Sequence, residues 1–530
     1  MSSTSANTPL PAVEICEQAR LSRDARFDGL FFTAVTSTGI YCRPICPAPT
    51  ALRRNVAYFS HAAGAEQAGF RPCLRCRPEL SPGNTAWRRG DTALARALKL
   101  IDTGALDVQS LASLAERVHL GERQLRRLFV DKLGVAPQRV QATRRLLFAK
   151  QLLTETAMPV TQVALAAGFR SLRRFNAAFL DAYRMPPRDL RRQLPAASND
   201  EVFTLRLAFR PPYDFEALLD FLRTRALPGI ETVDATCYSR VFALDGGTFS
   251  TAVGDSIGWF HLDTDPHQAN ALRLRLHCPR PAQLQQVVAR VRRMFDLDAD
   301  PQAINAVLAH DPRLRPLLRR HSGQRLPGGW DGFEIAVRAI LGQQVSVAAA
   351  RTLATRLVQQ FGTPVQADSN GLHALFPSPS TLAEADLAAI GLTRVRAETL
   401  RGVARALLDG RIDFRPEQSL DEFVERWTAL RGIGPWTAHY IAMRSLGNPD
   451  AFPADDLILR RAAADPGETL TARALETRSQ AWRPWRAYAV MHLWRSMPAA
   501  KAPAKTRQPS VPRPSDPPNN ARSTIRSKAP

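Results

Sequence analysis

The 530-residue sequence lacks the features of a membrane protein or a secreted protein. No apolar run approaches the roughly 20 residues that a transmembrane helix needs, and residues 1–11 are polar rather than signal-like. Lysine is also scarce: only 6 of the 71 basic residues are lysine, so the excess over the 49 acidic residues is almost all arginine. A codon bias would explain the choice of arginine but not the net charge of +22. Because arginine suits phosphate and base-edge recognition, we expect a cytoplasmic, nucleoid-associated protein that binds nucleic acid and no membrane.

Cysteine is rare as well, but four of the seven cysteines form one pattern. Two close pairs separated by a short insert are typical of a tetrahedral zinc site, and the missing signal peptide argues against disulfides. The sequence therefore predicts one zinc ion held by Cys42, Cys46, Cys73 and Cys76. Four neighbouring arginines are expected to form a basic surface around it: Arg43, Arg71, Arg75 and Arg77.

The zinc pattern and its surroundings resemble the N-terminal domain of the Ada adaptive-response proteins, from about Phe27 to Pro78. The resemblance implies that Cys42, the first of the four, takes a methyl group irreversibly from a methylphosphotriester in DNA. A zinc-bound thiolate is held deprotonated and is a nucleophile at neutral pH, so the ion would be both structural and activating. A purely structural zinc site is the alternative, because spacing alone does not show reactivity.

Residues 91–195 are predicted to be helical and contain an internal repeat with an offset of 50 residues, from Phe129 to Phe179. Each copy has a short Ala-rich helix, a turn and a basic second helix, the pattern of a helix-turn-helix. Two copies joined by one helix resemble the AraC-type DNA-binding domain; a helical bundle with a solvated basic face is the alternative. Residues 91–200 carry 18 basic and 10 acidic groups, which favours DNA binding. The candidate DNA contacts are Arg123, Gln124, Arg126, Arg127, Ser171, Arg173, Arg174 and Asn176.

After a polar break, residues 202–277 alternate between apolar and other residues, at Phe203, Leu205 and Leu207 and again at Leu272 and Leu274. This alternation predicts a small antiparallel α+β unit, with a helix after its first strand. No chemistry can be assigned to its residues.

Residues 283–497 return to a helical pattern with two motifs. The first is Leu430-Arg431-Gly432-Ile433-Gly434-Pro435-Trp436-Thr437-Ala438, whose glycines predict a tight hairpin with open backbone amides at a helix start. Twenty residues on, Asp455 and Asp456 precede an apolar helix, and helix capping is the ordinary interpretation of such a pair.

The combination of hairpin and aspartate resembles the helix-hairpin-helix DNA glycosylases, and within them the alkylpurine glycosylase AlkA, over about 203–497. The resemblance implies that Asp456 is catalytic and leaves Asp455 a capping or supporting role. It places Trp436, Tyr440 and Trp494 in the base pocket, Gln344 at the wedge position, and Gly432, Gly434 and Thr437 on DNA. Aromatic faces suit a cationic alkylated purine, although each aromatic alone is more often a core residue.

Two absences define the expected reaction. Trp436 stands where related lyases have a lysine, so simple hydrolysis is expected. No cysteine follows Cys278, so no iron–sulfur cluster is expected, nor an organic cofactor. The Pro-Cys-His-Arg motif of the Ada C-terminal methyltransferase is absent too, so reversal of O6-alkylguanine is not predicted.

The predicted fold class is multidomain and mainly α. It comprises a small zinc α+β domain with four cysteine ligands (12–82), an all-α double helix-turn-helix domain (90–194), an antiparallel α+β domain (202–282), an all-α helix-hairpin-helix glycosylase domain (283–497) and a disordered basic tail (499–530). The predicted function is a monofunctional N-glycosylase that excises 3-methyladenine and other alkylated purines, coupled to methyl sensing and transcriptional control. The expected partners are double-stranded DNA and RNA polymerase. The alternatives are a repair enzyme whose front half only targets it to DNA, and a methylation-activated regulator with a weak or inactive glycosylase half.

Overall fold

The computed structural model describes residues 10–84, 92–192, 202–243, 257–366 and 371–497. The predicted basic tail lies outside the described residues. In the described part of the chain, no helix is long and apolar enough to cross a membrane.

The N-terminal unit is a small four-stranded sheet with two helices. The strands lie in the order β3-β1-β2-β4, with β2 pairing antiparallel to β1 and parallel to β4. Phe32 and Tyr41 pack with Ala62 and Ala65 under the sheet, and this small core holds the strands that carry the cysteines. The elements are α1 (Val13–Ser22), β1 (Phe32–Val35), β2 (Ile40–Cys42), β3 (Val56–Phe59), α2 (Ala62–Gln67) and β4 (Arg71–Pro72).

Residues 92–192 contain eight helices, so the predicted helical character of this region is confirmed. The long α7 lies between two helix pairs, α5–α6 and α8–α9, and each pair has the helix-turn-helix connection expected from the repeat. The helices are α3 (Ala93–Asp102), α4 (Ala105–Val108), α5 (Leu111–Arg117), α6 (Glu122–Leu133), α7 (Pro137–Glu155), α8 (Val160–Ala166), α9 (Leu172–Tyr183) and α10 (Pro187–Arg192).

The 50-residue repeat is confirmed at equivalent positions of α6 and α9. Phe129 and Phe179 are both fully buried. Both helices end on a residue in the left-handed conformation, Gly134 with φ 74° and Arg184 with φ 57°. The two copies therefore share their core position and the geometry of their helix ends.

The α+β unit is a five-stranded antiparallel sheet in the order β5-β9-β8-β7-β6. Leu205 and Leu207 point into the core from β5, and Leu272 and Leu274 do so from β9, as the alternation predicts. Its elements are β5 (Val202–Ala208), α11 (Phe215–Arg223), β6 (Glu231–Val233), β7 (Cys237–Ala243), β8 (Ile257–Thr264) and β9 (Ala271–His277).

The remaining residues form a helical unit with one short antiparallel ribbon. Its core contains Leu400, Trp427, Ile441 and Trp482, all 1% exposed or less. The elements are α12 (Leu284–Met294), α13 (Pro301–Leu308), α14 (Leu314–Arg320), α15 (Gly332–Leu341), α16 (Val347–Phe361), β10 (Thr363–Pro364), β11 (Ala374–Leu375), α17 (Pro379–Glu384), α18 (Arg394–Leu408), α19 (Leu420–Thr428), α20 (Pro435–Ser445), α21 (Leu457–Ala463), α22 (Ala472–Ser479) and α23 (Arg486–Ser496).

One apolar core is shared between the second helix-turn-helix and the sheet. Leu152 of α7 and Phe175 of α9 belong to the same buried cluster as Leu205 of β5, Leu274 of β9 and Val291 of α12. The first helix-turn-helix has a core of its own. The domain boundaries predicted from the sequence stay predictions, because this packing runs across two of them.

Direct polar contacts join the front of the chain to its C-terminal part. The guanidinium of Arg210 is fully buried and donates to the carbonyl oxygens of Pro82 and Gly83 on one side and of Asp298 and Ala299 on the other. Four carbonyl acceptors replace the water that a buried guanidinium would otherwise need.

Candidate functional site

The four predicted zinc ligands come together at the edge of the N-terminal sheet. Cys42 ends β2, and the second pair follows β4, which lies beside β2. The four Sγ atoms all lie within 4.8 Å of one another. A tetrahedral zinc site with Zn–S bonds of about 2.3 Å has S···S edges of about 3.8 Å, so the cluster fits one zinc ion. Cys46 is the most open of the four, and Cys42 is 9% exposed.

The expected basic surface around this cluster needs a correction at Arg43 and Arg77. Arg43 is 3% exposed and forms an ion pair with the buried Asp28, while its backbone N–H donates to Cys76 Sγ at 3.3 Å. Arg77 pairs with Glu79 and, in α7, with Glu155. Both guanidinium groups balance carboxylates inside the protein, so they are not available to phosphate as the sequence prediction had it.

The segments that carry the four cysteines form hydrogen bonds and an ion pair with one face of α7, which we call the bonded face of α7. On the Cys42 side, the Tyr41 hydroxyl donates to Glu66 at 3.0 Å, and Glu66 also accepts from Thr143. On the Cys73 side, Lys150 Nζ donates to the Cys73 carbonyl at 3.2 Å and pairs with Glu79 at 2.6 Å.

Further along the same helix, Thr154 Oγ1 accepts from Arg77 at 2.9 Å. Positions 143, 150 and 154 are spaced by seven and four residues and therefore share one face of the helix. This face of α7 connects the zinc cluster to the helix between the two helix-turn-helix units.

Most of the predicted DNA contacts of the helix-turn-helix units are on the surface. Two of the eight side chains have a local structural role: Gln124 accepts from Gly121 N–H at 3.1 Å, and Ser171 caps α9 by accepting from Arg174 N–H at 3.4 Å. Arg126 pairs with Glu122 one turn earlier. The exposed set is Arg123, Gln124, Arg126, Arg127, Arg173, Arg174 and Asn176.

In the C-terminal unit, the glycine hairpin lies between α19 and α20 as predicted. Gly432 has φ +86°, and a Cβ there would lie 2.2 Å from Thr399 Oγ1. A Cβ on Gly434 would meet nothing within 4 Å, and Gly434 gives α20 no side-chain cap. Gly434 and Pro435 are exposed at the start of α20, so an anion can approach this backbone, although Pro435 brings no N–H of its own.

The side chain of the other predicted DNA contact in the hairpin is buried, which does not fit a direct contact with DNA. Thr437 is 3% exposed, and its hydroxyl accepts from Gln343 Nε2 at 3.0 Å. Gln343 also donates to the Gly432 carbonyl, which fixes the turn after α15 against the hairpin. At the tip of this turn, Gln344 is exposed with φ 56°, where the wedge was predicted.

The carboxylate of Asp456 accepts three hydrogen bonds from its surroundings. Its Oδ1 accepts from Leu459 N–H at 2.7 Å and from Trp494 Nε1 at 3.2 Å, and its Oδ2 accepts from Trp436 Nε1 at 2.9 Å. Asp456 is thus the N-cap of α21. The capping role given to Asp455 was wrong, because Asp455 is exposed and the cap belongs to its neighbour.

The three predicted pocket aromatics lie around this carboxylate. The rings of Trp436 and Tyr440 stack at 5.4 Å with an interplanar angle of 9°, and Trp494 lies 6.3 Å from Tyr440. All three side chains are partly exposed. Since Trp436 and Tyr440 already stack on each other, a base has to stack on an outer face of the group.

The sequence analysis missed the cationic groups behind Tyr440. Arg444 donates to the Tyr440 hydroxyl at 2.9 Å and lies 4.8 Å from the ring centre of Phe221, at the end of α11. Burial acts to raise the pKa of Tyr440, but Arg444, Arg225 and Arg338 together hold that pKa below its usual value. Phe221 and Arg225 come from the α+β unit, more than 200 residues earlier in the chain, and no local pattern indicates such a contact.

Four family models match consecutive parts of the chain. They are described as "Metal binding domain of Ada" over residues 15–79, "Helix-turn-helix domain" over 114–193, "AlkA N-terminal domain" over 204–331 and "HhH-GPD superfamily base excision DNA repair protein" over 337–487.

Three similar proteins cover different shares of the chain. The "Probable bifunctional transcriptional activator/DNA repair enzyme AlkA" of Mycobacterium tuberculosis H37Rv is 40% identical over 91% of this chain and 96% of its own length. The Escherichia coli "DNA-3-methyladenine glycosylase 2" is 36% identical over 54% of this chain and 95% of its own. The E. coli "Bifunctional transcriptional activator/DNA repair enzyme Ada" is 38% identical over 29% of this chain and 41% of its own.

Fold, cysteine cluster and hairpin thus define a fusion of a metal-binding helix-turn-helix protein with a helix-hairpin-helix DNA glycosylase. The chain belongs to the family of the bifunctional transcriptional activator/DNA repair enzyme AlkA.

Proposed function

We propose that the C-terminal unit hydrolyses the N-glycosidic bond of 3-methyladenine and other alkylated purines in DNA. The observation that carries this proposal is Asp456, a carboxylate held by two indole N–H groups and a helix N-terminus beside a partly open aromatic group. Its negative charge would stabilise the oxocarbenium-like sugar as the bond breaks and help water to attack C1′. The alkylated base has to leave the stack to reach this carboxylate.

The reaction is hydrolysis rather than strand cleavage, because the hairpin carries no amine for a Schiff base. Trp436 occupies the position after the hairpin and donates to Asp456. Alkylated purines such as 3-methyladenine carry positive charge, and each cation–π contact with Trp436, Tyr440 or Trp494 is worth about 0.5–2 kcal/mol.

For the N-terminal unit, we propose methyl transfer from a DNA methylphosphotriester to Cys42. The Cys42 sulfur forms a bond to the methyl carbon while the carbon–oxygen bond breaks, and the electron pair stays on the phosphate oxygen as an ordinary diester. Bound zinc would be held by all four cysteines and would keep the Cys42 sulfur deprotonated.

The helix-turn-helix units would read a promoter and act with RNA polymerase in a response to alkylation. The support is their exposed basic face and the bonded face of α7, which ties the methyl acceptor to the DNA-reading helices. The site residues and domain divisions given above are part of this proposal.

One experiment tests both activities in the full chain: incubation with methylated duplex DNA, scoring free base released and methyl bound to protein. We expect catalytic release of 3-methyladenine and one methyl per chain, found on Cys42 by peptide mapping and lost in Cys42→Ala. Bound methyl without base release would favour the regulator with an inactive glycosylase half. A label on Cys46, the more open thiol, would overturn the assignment of Cys42.

A further inference from the structure

A surface groove of about 680 Å³ lies between the α+β unit and α16. We call it the α16 groove; its walls include Thr224, Val347, Arg351, Thr352, Thr355 and Arg356. Among the residues lining it, all in the described part of the chain, none is acidic.

The two arginines of the α16 groove are available for a ligand. Arg351 uses only Nε, which donates to the Ala226 carbonyl at 2.7 Å and joins the two walls. Arg356 is exposed and forms no hydrogen bond or ion pair with the residues that the structure describes. Many other arginines of this unit are paired, as Arg415 is with Asp413 and Arg426 with the same carboxylate.

Both walls of the α16 groove are adjacent in the chain to residues of the candidate active site. Val347 begins α16 directly after the turn whose tip is Gln344. Thr224 precedes Arg225, one of the cations that act on the Tyr440 hydroxyl. DNA that brings a base to Tyr440 and meets Gln344 therefore passes close to the groove.

We infer that the α16 groove binds the phosphate backbone of the duplex next to the excised base, so that the α+β unit takes part in DNA binding. Two guanidinium groups match the donors that hold phosphate oxygens, whereas the hydroxyls of Thr224 and Thr352 already donate to the carbonyls of Phe221 and Ala348. The inference rests on the proposed glycosylase function.

The test is the affinity of the full chain for an undamaged duplex, measured by fluorescence anisotropy across a salt titration. Arg356→Gln should weaken binding by about tenfold and lower the slope of log affinity against log salt by about 0.9, one phosphate contact. The double variant Arg351→Gln, Arg356→Gln should lower the slope by about 1.8. Arg415→Gln, which removes an exposed arginine that already has a carboxylate partner, is the matched control.

Unchanged affinity and slope in both variants would overturn the inference and would leave the groove for a partner other than DNA. Because Arg351 joins the two walls, the thermal unfolding of each variant is also recorded. If the double variant unfolds at a lower temperature than the wild-type chain, the single variant Arg356→Gln alone tests the inference. Base release by the wild-type chain from a methylated duplex is measured separately. Its absence would contradict the proposed function whatever the groove binds.

Discussion

Asp456 has two tasks that a single substitution can separate. Asp456→Asn keeps the size and the oxygen that caps α21 but removes the negative charge. We expect release of 3-methyladenine to fall by at least about 10²-fold, because the charge on the sugar is no longer balanced. DNA binding should stay nearly intact. Single-turnover base release and a gel-shift titration measure the two effects.

The neighbouring carboxylate is the matched control. Asp455 is exposed and does not cap α21, so Asp455→Asn should release base at close to the wild-type rate. If both Asp455→Asn and Asp456→Asn released base at close to the wild-type rate, a group other than these two carboxylates would be catalytic. If only Asp455→Asn lost activity, the choice between the two carboxylates would be wrong.

At the residue scale, sequence reasoning located groups whose chemistry needs fixed spacing. The spacing of the four cysteines predicted that they cluster, because metal ligands recur at short intervals along a sequence. Sequence reasoning misplaced the helix cap by one residue, because two adjacent aspartates precede α21 and the pattern does not show at which one the helix begins. It also misplaced the direction of Arg43, which depends on a tertiary neighbour, the buried Asp28. Arg225 and Arg444 could not be assigned to Tyr440, because they meet it only when two units pack together.

At the scale of elements, the hairpin between α19 and α20 contains two glycines that differ in what a side chain would meet there. Gly432→Ala should destabilise the protein by about 1–3 kcal/mol, because it combines a positive φ with a Cβ against Thr399. Gly434→Ala should cost less, about 0.5–1 kcal/mol, because space is open there and only the N-cap preference for glycine over alanine is lost. It should weaken DNA binding if a phosphate approaches that backbone. Chemical denaturation and anisotropy distinguish the two. Equal stability of both variants would contradict the steric argument.

A second prediction at this scale concerns the ion pair between Lys150 on the bonded face of α7 and Glu79. Lys150 is 1% exposed and pairs with Glu79, which is fully buried. Lys150→Met should cost about 3–5 kcal/mol, because it leaves a buried carboxylate with only Arg77 as its partner. The pair Lys150→Met, Glu79→Gln should recover part of that loss. Urea unfolding measures the cost, and zinc content after dialysis reports whether the Cys73 loop has loosened.

The sequence predicted α7 as the helix that joins the two helix-turn-helix copies, but not its contacts with the zinc unit and the sheet. A pattern with one apolar stripe predicts which face of a helix is buried. In α7, Leu152 packs on the sheet and Thr143 and Lys150 bond to the zinc unit, so buried residues lie on several faces. Apolar, hydroxyl and charged residues therefore mix along its length, and the stripe is lost.

At the scale of the whole molecule, methylation would change the charge of the front unit. A divalent zinc ion with four thiolates carries two net negative charges, and a thioether at Cys42 removes one of them. Less repulsion from phosphates should strengthen promoter binding, most of all at low salt, because screening acts over about 10 Å at 0.1 M. Chains methylated beforehand should bind the promoter more tightly than unmethylated chains in a salt titration.

The matched variant is Cys42→Ala, which should not respond to methylphosphotriester DNA. If methylated and unmethylated chains bound the promoter equally at every salt concentration, the cluster would serve as scaffold alone. The bond from Arg77 to Thr154 of α7 and the bond from Lys150 of α7 to the Cys73 carbonyl place this charge change next to the helix that both DNA-reading pairs share.

The apolar core that spans α7, α9 and the five-stranded sheet has a practical consequence for dissecting the protein. A protease site engineered between residues 193 and 201 would sever the peptide connection but not the interface, and Arg210 would still donate to the Pro82 and Gly83 carbonyls. The two fragments should therefore elute together in gel filtration. Expressed singly, each fragment would expose to water the apolar surface where α7 meets β5, and it should aggregate. Regulator and repair enzyme are in this sense complementary fragments, each acting as the folding partner of the other.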